Sequence, residues 1–303
     1  MSDMLKGVAL GLFSQILFGV LYLFSHWMAP VSGTDVFALR MLMMLIGLWA
    51  IVLPAIGWRG MADFVRCHLG KNLKRWALML TGTVIVAGQF WLFMWAPVNG
   101  EGVSVAMGYF LFPLAMVLAG RLVFGERLNA LQAAALLLAA AGVAHELWQT
   151  QALSWASVAV FAVYPPYYLS RRAMGIPALQ GLTVDLCLIA PPALAYLVWQ
   201  GDALALVAAE PRYWLLLPAL GLASAAAMFA NLKANALLPV TVFGMLSYVE
   251  PALLFVLAVT VLGEPVAAGE YITYGLIWAG LALLALNGAK GLKQSRKYRN
   301  TAV

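Results

Sequence analysis

Apolar residues run along this chain in blocks of about twenty, separated by short polar breaks that hold most of the charge. A helix needs about 20 mostly apolar residues to cross a bilayer. Such blocks lie at 6–28, 36–57, 76–96, 103–120, 129–147, 154–170, 178–199, 213–236, 241–262 and 267–287. The pattern predicts an all-α polytopic membrane protein with ten transmembrane helices and little chain left for a soluble domain. The first block follows one early cation, Lys6, and has no small-residue cleavage pattern. It is longer than a signal-peptide core, so it is expected to be retained as a span.

Composition agrees with the pattern. Of 303 residues, 64% are hydrophobic and 10% charged, against about 25% charged in soluble chains. The net charge of +6 does not point to nucleic acid, because the basic residues lie between apolar blocks, where membrane orientation alone accounts for them. Ten spans put both termini on one side. All but three of the 18 basic residues (Arg40, Arg212 and Lys233) fall on that side, so both termini are expected to be cytoplasmic. Trp58, Trp76, Trp148, Trp155, Trp199 and Trp214 sit near block ends, as an interfacial belt requires. The segment from Trp58 to Arg75 reads as a basic interfacial helix. Cys67 and Cys187 form neither a disulfide framework nor a metal pattern.

The chain also repeats itself. "GYFLFPLAMVLAGRLVFGERL", Gly108 to Leu128, matches "LSYVEPALLFVLAVTVLGEPV", Leu246 to Val266. Pro113 aligns with Pro251, Gly125 with Gly263, Glu126 with Glu264 and, further on, Gly142 with Gly280. Tyr109 lies near Tyr248, one residue out of strict register. Five spans separate the copies, and an odd number reverses their direction across the membrane. Inverted repeats are typical of secondary transporters, whose sites lie near the midplane between the halves. The division is expected to be 1–150 for the first repeat, 151–289 for the second and 290–303 for a basic cytoplasmic tail.

The paired Pro-x11-Gly-Glu elements resemble the EamA repeats of the drug/metabolite transporter superfamily. "ALRMLM" (Ala38–Met43), "GQFWLFMWAPVNG" (Gly88–Gly100), "GYFLFP" (Gly108–Pro113), "GERLNALQ" (Gly125–Gln132) and "LIWAGLALL" (Leu276–Leu284) are similar to the RarD-type group within it. The resemblance covers nearly the whole chain. It implies two inverted five-helix repeats around a central cavity that opens alternately to each side of the bacterial cytoplasmic membrane, and transport of small metabolites such as amino acids or amines. Members of the group often carry Asn at the position of Phe112 and a small residue at that of Glu250.

The candidate chemistry lies inside the spans. Glu250 stands near the middle of the ninth block, and ionisable groups there are costly and point to function. It either carries a proton or holds a cationic substrate group; the competing reading is a Glu satisfied within packed protein. Each proline frees the carbonyl four residues earlier, Pro113 that of Tyr109 and Pro251 that of Ser247. Both prolines are expected to break or kink helices that line the cavity. Arg40 meets a substrate carboxylate or snorkels to the surface. Lys233 is placed for snorkelling. Asp185 could pair with Lys233 or with Arg171 and Arg172, and is a second proton-coupling candidate. Trp91 and Trp95, one turn apart, are expected to join Tyr109 and Tyr248 in an aromatic wall, with Asn231 adding a hydrogen bond.

The expected function is secondary transport of small amphipathic metabolites, with export of amino acids first, either facilitative or coupled to protons with Glu250 as the candidate carrier. The alternative is import of a small amine or organic cation. Substrate, lipid bilayer and protons are the expected partners, with no nucleic acid, and the chain is expected to act as a monomer or weak dimer. No HExxH, GxSxG or Walker motif occurs, His145 and Glu146 alone make no metal site, and neither cofactor nor metal is expected.

Overall fold

The structure, a computed structural model, describes residues 3–151, 153–200, 202–253, 269, 271–283 and 286. Among these there are helices and no strands. In chain order they are α1 (Asp3–Trp27), α2 (Gly33–Ala55), α3 (Gly57–Phe64), α4 (Leu73–Trp95), α5 (Gly102–Phe124), α6 (Ala130–Thr150), α7 (Trp155–Val158), α8 (Pro165–Ala173), α9 (Ala178–Gln200), α10 (Asp202–Ala209), α11 (Arg212–Leu237), α12 (Val240–Leu253) and α13 (Tyr271–Leu283). Seven of them, α1, α2, α4, α5, α6, α9 and α11, are long and apolar enough to cross a membrane. The expected ninth and tenth spans are described only as the shorter apolar helices α12 and α13. Glu264 and the 290–303 tail lie outside the described residues.

The sixth block, expected as one helix, is in three pieces. α7 gives way to a π-helical turn, Ala159–Val163, and α8 begins at Pro165. Pro165 and Pro166 bring no N–H to the ladder and stand at the first positions of α8, where that loss is tolerated. Several other prolines do not interrupt their helices. Pro54, Pro191, Pro192 and Pro218 lie inside continuous helices, and so does Pro113, which corrects the expected break in α5. Near Pro251 the ladder is interrupted, with a turn at Ser247 and Tyr248.

The "GERLNALQ" stretch has a local cause for each residue. Gly125 closes α5 in the left-handed region, φ +65°, where glycine carries no Cβ penalty. Asn129 and Gln132 form a capping box on α6. Glu126 turns back across the bundle. Its Oε1 accepts from the Val240 N–H and its Oε2 from the Thr241 N–H, both at 2.7 Å, at the start of α12. Pro239 at that N-cap offers no side-chain cap, so Glu126 supplies one from the other half of the chain. Glu126→Ala should therefore cost about 1–2 kcal/mol, by analogy with lost N-caps. Thermal unfolding in detergent checks this, and an unchanged midpoint would contradict it.

α1 and α2 pack on α11, α2 also packs on α9, and α5 packs on α12. Trp58, Trp148, Trp155, Trp199 and Trp214 are exposed. In α3, Met61 and Phe64 are buried, while Trp58 rests on Trp49 with ring centroids 4.1 Å apart. Two glycines meet across α6 and α13. A Cβ on Gly142 would lie 2.9 Å from the Thr273 carbonyl oxygen, and one on Gly280 would lie 2.9 Å from the Ala135 carbonyl oxygen. Both pairs are related by the same offset of 138 residues that aligns Pro113 with Pro251.

Candidate functional site

A cavity of about 40 Å³, open at its mouth, lies among α1, α2, α4, α5, α8, α11 and α12. Six of its lining side chains are polar: Gln15, Arg40, Gln89, Asn231, Ser247 and Glu250. All six are buried. Its aromatic lining is Phe18, the pair Phe90 and Phe93, Tyr109, and the cluster of Phe112 with Tyr164 and Tyr168.

Arg40 is held on three sides. Its Nε donates to Ser224 Oγ on α11 at 2.7 Å. Its guanidinium carbon sits 5.2 Å from the Phe90 ring centroid and 5.7 Å from that of Phe93. Phe90 and Phe93 present together because they are three residues apart on one helix. Arg40 is 1% exposed, so it does not snorkel. Among the described residues it has no carboxylate in ion-pair range, and its Nη1 is buried without a hydrogen-bond partner.

Glu250 also lines the cavity, 8% exposed, and it too lacks an ion-pair partner among the described residues. Asn231 sits two turns beyond Ser224 on α11. Its amide nitrogen donates to Ser14 Oγ at 3.3 Å, and its Oδ1 is buried and unpartnered. Gln89 donates to the Ala159 carbonyl at 2.8 Å, leaving its Oε1 unpartnered.

The expected aromatic wall is only partly present. Tyr109 lines the cavity. Trp91 and Trp95 do share a face, stacked at 4.9 Å, but that face points elsewhere. Trp91 Nε1 donates to Thr34 Oγ1 at 3.1 Å and Trp95 lies 6.0 Å from Trp155. The cavity takes their neighbours Phe90 and Phe93 instead, because one residue along a helix turns the side chain by about 100°. The same rotation removes Tyr248, which is buried with Met107, Phe110 and Ile277 in a separate cluster. Its neighbour Ser247, the strict-register counterpart of Tyr109, lines the cavity. The same offset relates Phe112 to Glu250 and Phe93 to Asn231, and all four residues line the cavity.

Asp185 is not at the cavity. It is fully buried and accepts from Thr83 Oγ1 at 2.6 Å, from the Tyr167 hydroxyl at 3.1 Å and from Arg171, with which it forms an ion pair. Lys233, the other partner considered, is exposed. Arg172 instead donates to the carbonyls of Asn235 and Leu238 and lies 3.7 Å from Glu126. His145 Nδ1 is 3.0 Å from Thr273 Oγ1, and no metal-ligating cluster occurs among the described residues. Gln15, Tyr164 and Tyr168 escaped the sequence reading. The "YPPYY" run was the available signal for the tyrosines, since its prolines break the span there.

Comparison with known proteins places this geometry. The EamA-like transporter family matches residues 5–145. The chain is 54% identical to an uncharacterized transporter of Haemophilus influenzae, over 96% of this chain and 97% of that one. It is 40% identical to the chloramphenicol-sensitive protein RarD of Pseudomonas aeruginosa, over 96% and 98% of the two chains. The chain belongs to the EamA family, in its RarD-type group. Protein RarD of Salmonella typhi is a more distant relative, 27% identical over 93% of this chain and 95% of that one. A solved crystal structure covering 92% of this chain superposes with a TM-score of 0.68 at 19% identity, and shows the shared fold.

Proposed function

We propose that this membrane protein is a secondary transporter working by alternating access, with small amphipathic metabolites, amino acids foremost, as its cargo and export as its direction. It has ten spans in two inverted five-helix repeats, both termini on the cytoplasmic side of the bacterial inner membrane, and protons as coupling ion through Glu250. One observation carries the reading: the buried cavity holds Arg40 and Glu250, opposite charges with no partner among the described residues. Unpaired buried charge costs stability, and it persists in membranes where function needs it. The repeat is supported by the offset of 138, which relates three pairs of cavity residues and turns the Gly142–Thr273 contact into the Gly280–Ala135 contact. Such reciprocity is what a two-fold relation between halves requires.

Transport of labelled amino acids into proteoliposomes, with and without an imposed pH gradient, tests the reading. The gradient should drive accumulation by the natural protein, and Glu250→Gln should remove that response. A variant that keeps its full response would show that Glu250 does not carry the proton.

A further inference from the structure

The cavity leaves a specific set of hydrogen-bonding groups without partners. At one level stands the Arg40 guanidinium, its Nε spent on Ser224 and its carbon lying over the Phe90 and Phe93 rings. The free Nη1 is buried. A guanidinium has donors only, in a planar fork that matches a carboxylate.

Gln15 Oε1 is a further buried, unpartnered atom, and the unpartnered atoms of Asn231 and Gln89 are acceptors whose orientation is determined. Ser14 Oγ gives its hydrogen to the Gly11 carbonyl at 2.7 Å, so it can only accept from Asn231. That fixes the Asn231 amide nitrogen towards Ser14 and its Oδ1 as an open acceptor. Gln89 is fixed in the same way, because its bond to a backbone carbonyl must come from its NH₂ group. Glu250 adds a carboxylate. An ammonium group has three N–H donors and no acceptor, the complement of this set.

We infer that the cavity reads both poles of a zwitterion: Arg40 takes the cargo's carboxylate, and Glu250, with the open amide oxygens of Asn231 and Gln89, takes its ammonium. This rests on the transporter reading above and assigns the roles within it. An amine alone leaves Arg40 buried and unpaired, and adds a second cation beside it. A carboxylic acid alone does the same to Glu250. A zwitterion compensates both charges and leaves the net charge of the cavity unchanged, while Phe112, Tyr164 and Tyr168 offer an apolar wall to the rest of the molecule. Ser224 is a positioning residue, since it holds the guanidinium without reaching the cargo.

The test is binding to the purified protein by calorimetry, first with the twenty common amino acids. The tightest binder is then compared with its decarboxylated amine and its deaminated acid. The amino acid should bind at least about tenfold more tightly than either analogue. Arg40→Gln should bring the amine level with the amino acid and leave the acid discriminated against; Glu250→Gln should do the reverse. Each variant controls for the folding of the other, and the ranking on the natural protein decides without any variant. An amine or acid that binds the natural protein as tightly as the amino acid overturns the inference. So does a protein that binds no amino acid yet transports another solute, in which case the transporter reading stands. That reading falls separately if no solute from a broad panel accumulates in proteoliposomes.

Discussion

Replacing Asp185 with alanine should cost about 3–5 kcal/mol of stability, the range for breaking a buried ion pair from one side. Asp185 is fully buried, Arg171 is 4% exposed, and no other carboxylate is paired with Arg171 among the described residues. Removing the carboxylate leaves a buried guanidinium whose remaining neighbours are Met79 sulfur and the Tyr167 ring, 5.1 Å away. Thr83 and Tyr167 lose their acceptor at the same time. Thermal unfolding in detergent should show a large drop for Asp185→Ala. The double variant Arg171→Met with Asp185→Leu should recover much of it, because replacing both charges with apolar groups of similar size removes the desolvation cost as well as the attraction. If the single variant unfolds at the natural temperature, the network contributes little. Substrate binding by the double variant should persist, since neither residue lines the central cavity.

The second large effect is expected at Gly221, where α11 meets α2. A Cβ there would lie 2.5 Å from Met43 Cβ, 2.6 Å from its carbonyl carbon and 2.8 Å from its carbonyl oxygen. Two of those atoms are backbone and cannot rotate away, so Gly221→Ala forces the helices apart, at a cost of about 1–3 kcal/mol for overpacking. The consequence reaches the cavity. Met43 lies three residues after Arg40 on α2, and Ser224 three residues after Gly221 on α11, so the close approach and the 2.7 Å Arg40–Ser224 bond belong to one interface. Separating the helices should loosen Arg40 and weaken binding of the proposed amino-acid cargo as well as lower the unfolding midpoint. Gly88→Ala is the control. Its Cβ would meet nothing within 4 Å, and the change should be neutral in both measurements although Gly88 adjoins Gln89. Unaltered binding in Gly221→Ala would show that Arg40 does not depend on this contact.

Some of the site was legible before any coordinates. Glu250, Arg40, Tyr109 and Asn231 were singled out because polarity inside an apolar block is rare, and all four line the cavity. Trp91, Trp95 and Tyr248, named with Tyr109 for the aromatic wall, lie outside the cavity, each next to or near a residue that does line it. Apolar periodicity locates a helix but does not say which stripe faces lipid and which faces the centre, since both are apolar in a membrane. Asp185 shows the converse problem. Its rarity within a span marked it for function, yet three donors, one from α4 and two from α8, were already assembled around it. Prolines misled for a similar reason. Pro113 sits in a continuous helix, as do the adjacent Pro191 and Pro192, whereas Pro165 and Pro166 stand at the first positions of a new helix within the sixth block.

The amino-acid sequence by itself determined that this is a helical membrane protein, and its motifs carried the resemblance to the EamA family. The first follows from block length and composition and the second from short motifs, all of which are local along the chain. Only the tertiary structure decided that Arg40 and Glu250 share a cavity without neutralising each other, that Asp185 is already satisfied, and that Phe90, Phe93 and Ser247 rather than their neighbours face the centre. The reason is geometric: a side chain turns about 100° per residue, and its partners come from helices far away in sequence.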